Sequence, residues 1–209
     1  MIQALFVDPK GSYPARLGPA NCWDEKRDAR QYAGLWAVIA HPPCTRWCRL
    51  AGLVEARWGY KRGDDGGCFA AALATVRRVG GVIEHPAYSK AWDAYGLPKP
   101  VTGGGWLRGE CGGFSCYVEQ CRYGHAAKKA TWLYVFGLDE SELPALRFGH
   151  NPDAKSTHLV SWCGNRVASG EKRPRLGKAA ANRTPPEFLE VLISIAERIE
   201  AFKPHELAA

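Results

Sequence analysis

The sequence predicts an α/β fold: a single mostly parallel sheet with flanking helices. Three observations predict it. Short apolar runs recur along the chain, helical stripes separate several of them, and 209 residues suit one well-packed domain while leaving two cramped.

The elements follow in order. Residues 1–8 have no basic start and no long apolar stretch, so the segment reads as a strand over 4–7 rather than a signal peptide, and a cytoplasmic location is expected. Residues 8–23 are rich in Gly and Pro and read as irregular. A second strand is expected at 36–40, where Ala37-Val38-Ile39-Ala40 is apolar throughout, as in a strand buried on both faces. Residues 67–79 read as a helix with Phe69, Leu73 and Val76 on one stripe. Residues 81–84 form the next strand. Residues 102–113 hold Gly103-Gly104-Gly105 and Gly112-Gly113 and read as irregular. Strands follow at 115–120 and 131–136. Residues 146–181 are polar and basic with no periodicity, a length that points to a functional loop. The last helix is expected at 185–202, with Thr184 as its cap and Phe188, Leu189, Leu192, Ile195, Ala196 and Ile199 on one face. There is no internal repeat, so residues 1–209 read as one domain, with 138–181 as a small target-recognition insertion.

Composition narrows the function classes. No apolar run approaches the roughly 18–20 residues of a membrane span. The net charge of +7 favours an acidic partner such as nucleic acid, and basic clusters at 46–49, 57–62, 122–129 and 172–183 flank the motifs below. The eight cysteines, with no secretion signal, read as free thiols or metal ligands rather than disulfides.

Three segments carry chemistry. In the first, the 36–40 strand runs into His41-Pro42-Pro43-Cys44. The prolines stiffen the turn and fix where the thiol points, at the carboxyl end of a strand, where open α/β sheets bind ligands. Arg46 and Arg49 are expected to favour the thiolate. In the second, the 81–84 strand ends in Glu84-His85-Pro86, a carboxylate able to hold a ring nitrogen. In the third, Arg122, Tyr123, Lys128 and Lys129 lie between two strands, placed for phosphate or a base edge.

Together these segments resemble the catalytic half of the cytosine carbon-5 DNA methyltransferases. Pro43-Cys44 matches the family's Pro-Cys turn with its nucleophile. Glu84-His85-Pro86 matches the Glu-Asn-Pro or Glu-Asn-Val motif that holds the cytosine, with His85 in place of Asn. Tyr123-Gly124, then Lys128 and Lys129, then 133–137 follow the layout of the Phe/Tyr-Gly turn, spaced arginines and closing strand, with lysines for arginines and no Gln after the turn. Asn182-Arg183-Thr184-Pro185-Pro186 opens the last helix as the family's Gly-Asn-x-Val-Pro motif does. The resemblance covers about half the chain in four ordered pieces.

It implies a reduced Rossmann-like methyltransferase fold and chemistry at carbon 5 of a pyrimidine in DNA. Cys44 would be the nucleophile, Glu84 the acid that holds the base, and Lys128 and Lys129 catalytic cations. Pro43, Arg46, Trp47, His85, Arg122 and Tyr123 would contact base or backbone, and Trp47, Tyr88, Trp92 or Tyr123 could pack on an extruded base.

The chain departs from the family at the donor site. The Phe-x-Gly-x-Gly loop that cradles S-adenosylmethionine is missing, and only 35 residues (44 − 8 − 1) separate Asp8 from Cys44. Asp8 and Gly11 would form a reduced cofactor loop, Asp24 would supply a ribose carboxylate, and Asn182 would complete the site. Three readings stay open: a compressed methyltransferase, an enzyme using the same residues with another one-carbon or larger donor as viral DNA modification requires, and a non-catalytic DNA-binding relic. A rival from another class is a zinc-stabilised DNA-binding module using Cys111, Cys116, Cys121 and His125, with Cys44, Cys48, Cys68 or His41 as further ligands. The Cys spacing fits only loosely, and the strand pattern sends Cys116 and Cys121 to opposite faces. His150, His158 and His205 have no partner pattern and read as surface residues.

Overall fold

The computed structural model describes residues 1–151, 154–160 and 173–203. Seven strands form one sheet: β1 (Ile2–Leu5), β2 (Cys22–Trp23), β3 (Ala37–Ala40), β4 (Gly81–Pro86), β5 (Leu107–Arg108), β6 (Phe114–Glu119) and β7 (Ala130–Phe136). Their order is β2-β1-β3-β4-β7-β6-β5. Pairing is parallel across β2/β1, β1/β3 and β3/β4, and antiparallel across β4/β7, β7/β6 and β6/β5. β1, β2, β3, β4 and β6 therefore run one way, and β5 and β7 the other. The α/β class holds, and the sheet is mixed, with its parallel pairing confined to β2, β1, β3 and β4.

Among the described residues, six α-helices flank the sheet: α1 (Ser12–Leu17), α2 (Ala51–Trp58), α3 (Cys68–Val79), α4 (Lys90–Ala94), α5 (Lys178–Asn182) and α6 (Pro186–Phe202). Strand residues alternate between two cores. Ala37, Ile39, Val82, Cys116, Leu133 and Val135 pack beneath α6 through Phe188, Leu192, Ile195 and Ile199. Val38, Ala40, Ile83, Tyr117 and Tyr134 face the other way, against Phe69, Leu73 and Val76 of α3 and Trp92 of α4. Covering both faces explains the uninterrupted apolar reading of β3.

One glycine sets the geometry of the site. Gly81 has φ 157°, and a Cβ there would collide with the Val38 carbonyl oxygen. The close approach it permits pairs Ala40 with Ile83. His41, just past β3, thus lies beside Glu84, within β4.

Several boundaries differ from the sequence reading. β1 ends at Leu5 rather than residue 7, because Phe6 adopts a left-handed backbone (φ 59°). The irregular 8–23 stretch contains α1 and β2, and α2 and α4 were not expected. α6 begins at Pro186 with Pro185 at the cap position, and no side chain caps it. Thr184 instead offers its carbonyl to Ser12 Oγ at 3.4 Å. Of the expected insertion, the described residues lie along the 114–136 hairpin through bridges Val118–Phe148 and Ala127–His158. Residues 152–153 and 161–172, with Cys163, lie outside the described residues, as does His205.

Candidate active site

The chain leaves β1 toward β2 on one side and returns to β3 on the other, so the switch point of the sheet lies between β1 and β3. Its mouth collects a continuous polar relay. Tyr13 of α1 donates its hydroxyl to His41 Nε2 at 2.6 Å, and His41 Nδ1 lies 2.9 Å from Glu84 Oε2. Glu84 Oε1 accepts from Gln120 Nε2 at 3.0 Å and lies 3.4 Å from Thr131 Oγ1. A carboxylate at Glu84 fixes the tautomer: Nδ1 carries the proton, leaving Nε2 to accept from Tyr13.

Cys44, three residues past His41, is half-buried at the head of a helical turn in which its carbonyl accepts from Trp47 N at 3.0 Å and Cys48 N at 2.9 Å. Burial, the charge of Glu84 and nearby Cys48 push its thiol up to about 11, and Lys129 pulls the other way. For Glu84, burial works to raise the carboxyl, yet the His41 hydrogen bond and the Lys129 charge outweigh it and hold it at about 2. Tyr13 is raised well above its ordinary value by burial and by Glu84, so it stays a donor. At neutral pH the resting site therefore pairs a protonated thiol with an ionised carboxylate. The expected thiolate assistance from Arg46 and Arg49 is replaced by Lys129. Arg46 lies over the Tyr60 ring at 4.2 Å, and Arg49 over Tyr88 at 5.4 Å.

The adjacent lysines part company. Lys129 has φ 40° and sends Nζ to the Asn182 carbonyl at 3.4 Å, within electrostatic reach of both Cys44 and Glu84. Lys128 points away, to Glu119 Oε1 at 3.1 Å and His150 Nδ1 at 2.7 Å. The left-handed backbone of Lys129, just before β7, turns its side chain away from that of Lys128, so Lys128 does not join the site.

Other expected contacts are structural. His85 is buried against Phe69 and Trp92, on the opposite face of β4 from Glu84. Burial drives its ring down to about 4, against the opposing pull of Glu84. Trp47 is buried and donates Nε1 to Asp65 Oδ2 at 2.8 Å, and Trp92 is fully buried. Tyr123 packs on Phe188, its hydroxyl accepting from Arg147 N at 2.8 Å. Arg122 donates to the Phe148 carbonyl at 2.7 Å. Pro43, next to Cys44, and Tyr88 remain exposed.

The expected donor-site residues ring the switch point. Ser12 ties the 8–12 turn to Thr184, next to Asn182, and Asp24 lies just beyond the carboxyl end of β2, where a ribose diol is met in such sheets. One oxygen of Asp8 accepts from Lys10 N at 2.9 Å, and one of Asp24 from Arg27 N at 2.9 Å. Gly11 lies close against the Asp8 carbonyl, which a Cβ would approach to 3.1 Å.

Cys111 is exposed, Cys116 is buried under α6, and His125 is buried with Nδ1 accepting from Ala127 N at 3.0 Å. Among the described residues, no three His, Cys, Asp or Glu side chains form a metal-holding group. His150, expected at the surface without a partner, lies 2.8 Å from buried Glu119.

Sequence reasoning missed Tyr13, Gln120 and Thr131, and weighed His41 only as a zinc ligand. The one local signal was His41 immediately before Pro42-Pro43-Cys44. Backbone strain marks the same mouth: Phe6 (φ 59°), Tyr88 (φ 65°) and Lys129 (φ 40°) are three of the four described non-glycine residues with positive φ. No family model, curated protein or solved structure matches the chain. Among the described residues, no helix is long and apolar enough to cross a membrane.

Proposed function

We propose that the chain modifies carbon 5 of a pyrimidine base in DNA, with Cys44 as nucleophile. The observation that carries this reading is the pairing of β3 with β4, which hydrogen-bonds His41, three residues before Cys44, to Glu84 and puts Cys44 and Glu84 within electrostatic reach of each other and of Lys129. The four ordered motif matches and the reduced Rossmann-like arrangement of β1–β4 support it.

The resting charges suggest how the proton moves. As Cys44 sulfur bonds to carbon 6, its proton passes to the Glu84 carboxylate and on to ring nitrogen 3. The carbon 5–carbon 6 π pair becomes electron density at carbon 5. His41, held by Tyr13, keeps Glu84 oriented, and Lys129 stabilises the charge that develops. A base entering the site exchanges its N–H for one of the Glu84 partners. Asp8, Gly11, Asp24 and Asn182 would hold S-adenosylmethionine or another one-carbon donor, which would supply the electrophilic carbon; loss of the carbon 5 proton to solvent and departure of the Cys44 sulfur from carbon 6 would then restore the ring double bond.

Addition alone labilises the hydrogen on carbon 5, so the test needs no donor. DNA incubated with the protein in deuterated water should gain deuterium at carbon 5 of its target pyrimidine, read by mass spectrometry of the nucleosides. Cys44→Ser should abolish the exchange. No exchange across varied DNA, together with no covalent adduct to 5-fluoropyrimidine DNA when S-adenosylmethionine is added, overturns the enzymatic reading. Retained DNA binding would then favour the binding-only alternative.

A further inference from the structure

The segment following Cys44 is unlike the rest of the surface. α2 buries only Ala51, leaving Leu53 and Trp58 outward. Gly59 (φ 69°) ends the helix in a left-handed turn that brings Tyr60 back over Arg46. Gly63 N then donates to the Arg46 carbonyl at 3.0 Å, closing the arm beside the Cys44 turn. Three rings stand out from this arm and its neighbour: Trp58 is 55% exposed, Tyr60 53% and Tyr88 41%.

Each ring carries an arginine: Arg57 lies 5.0 Å from the Trp58 centroid, Arg46 4.2 Å from Tyr60 and Arg49 5.4 Å from Tyr88. Within residues 46–62, Arg46, Arg49, Arg57, Lys61 and Arg62 face a single acid, Glu55. Large aromatic side chains held out into water along one arm and its neighbour suit an interaction surface. A guanidinium on one ring face orients charge toward a phosphate and leaves the other face for stacking.

We infer that this arm binds an unpaired DNA strand, with bases stacked on Trp58, Tyr60 and Tyr88 and phosphates met by their arginines. Charge complementarity selects a polyanion, and the ring faces select unpaired bases, because duplex bases hide theirs. The inference rests on the reading of Cys44 as a DNA-modifying nucleophile and deepens it: the substrate is presented as a single strand, already unstacked, so the site avoids the cost of base extrusion.

The test is fluorescence anisotropy of a labelled single-stranded oligodeoxynucleotide and its duplex, with the whole chain. The single strand is expected to bind at least tenfold tighter. Replacing both rings (W58L with Y60L) should weaken it roughly tenfold or more, whereas Tyr60→Phe stays within about twofold. Arg57→Gln should flatten the slope of log K against log salt by about 0.7, a readout independent of whether the leucine variants fold. Equal or tighter duplex binding overturns the inference, as do an unchanged salt slope and leucine variants that bind like the wild type. The two readings fail separately. Deuterium exchange with no strand preference sinks only this one. The expected binding pattern without any exchange sinks only the chemistry.

Discussion

Two buried carboxylates at the same end of the sheet have nearly the same partners and do different work. Glu84, on β4, faces His41 at 2.9 Å and feels Lys129. Glu119, on β6, faces His150 at 2.8 Å and Lys128 at 3.1 Å, and accepts from Tyr117 at 2.9 Å. Burial opposes ionisation in both, and in both the hydrogen bonds and cations hold the carboxyl below its ordinary value. What separates them is company. Both carboxylates raise a nearby thiol, Cys44 for Glu84 and Cys121 for Glu119, but Cys44 follows the Pro42-Pro43 turn beyond β3, whereas Glu119 pins the segment around His150 and Asn151 to the sheet. A carboxylate–histidine–lysine cluster near a thiol therefore does not by itself mark a site, and the proposed role of Glu84 depends on how its neighbouring thiol is presented.

The largest expected difference is in activity. Glu84→Gln should slow carbon-5 exchange by about a hundredfold or more, while Glu119→Gln, assayed below its unfolding temperature, should stay within about threefold. Equal losses would erase the distinction drawn between the two acids.

Stability comes next. Glu84→Ala strands His41 and Gln120 and should cost about 3–5 kcal/mol in denaturant unfolding. Glu119→Ala should cost less, about 1–3 kcal/mol, because His150 and Lys128 reach water.

Acid should expose a third group. His85 has a folded value near 4, below its ordinary 6.5, so its neutral state favours the fold above 6.5 and that contribution fades as pH falls toward 4. Two to three pH units correspond to about 3 kcal/mol. Glu84 behaves in the same direction lower down, its contribution present above 4.5 and lost as pH falls through about 2. His85→Phe should flatten stability between pH 6.5 and 4. An unchanged acid profile in that variant would show that the ring is not held neutral by burial.

The smallest effect concerns the thiol. Alkylation of Cys44, followed on its own peptide, should rise about tenfold per pH unit from 8 to 10. At fixed pH, Lys129→Met should slow it a few-fold, Glu84→Gln should quicken it, and Lys128→Met should leave it alone. Sensitivity to Lys128 would contradict the separation of the two lysines.

The sequence alone determined the α/β class, the apolar strands of the parallel part, and the α3 and α6 helices, because burial writes itself into local periodicity. It also marked Cys44 and Glu84, since each follows or ends an apolar strand. It could not tell Lys128 from Lys129, Glu84 from His85 as neighbours on one strand, or Trp47 and Tyr123 from surface aromatics. Those distinctions depend on which face of the sheet a residue takes and what packs above it. Nor could it find the Tyr13–His41–Glu84 relay, whose members lie 28 and 43 residues apart. Only the pairing of β3 with β4 beside Gly81, and the docking of α1 over the switch point, bring them within hydrogen-bonding distance.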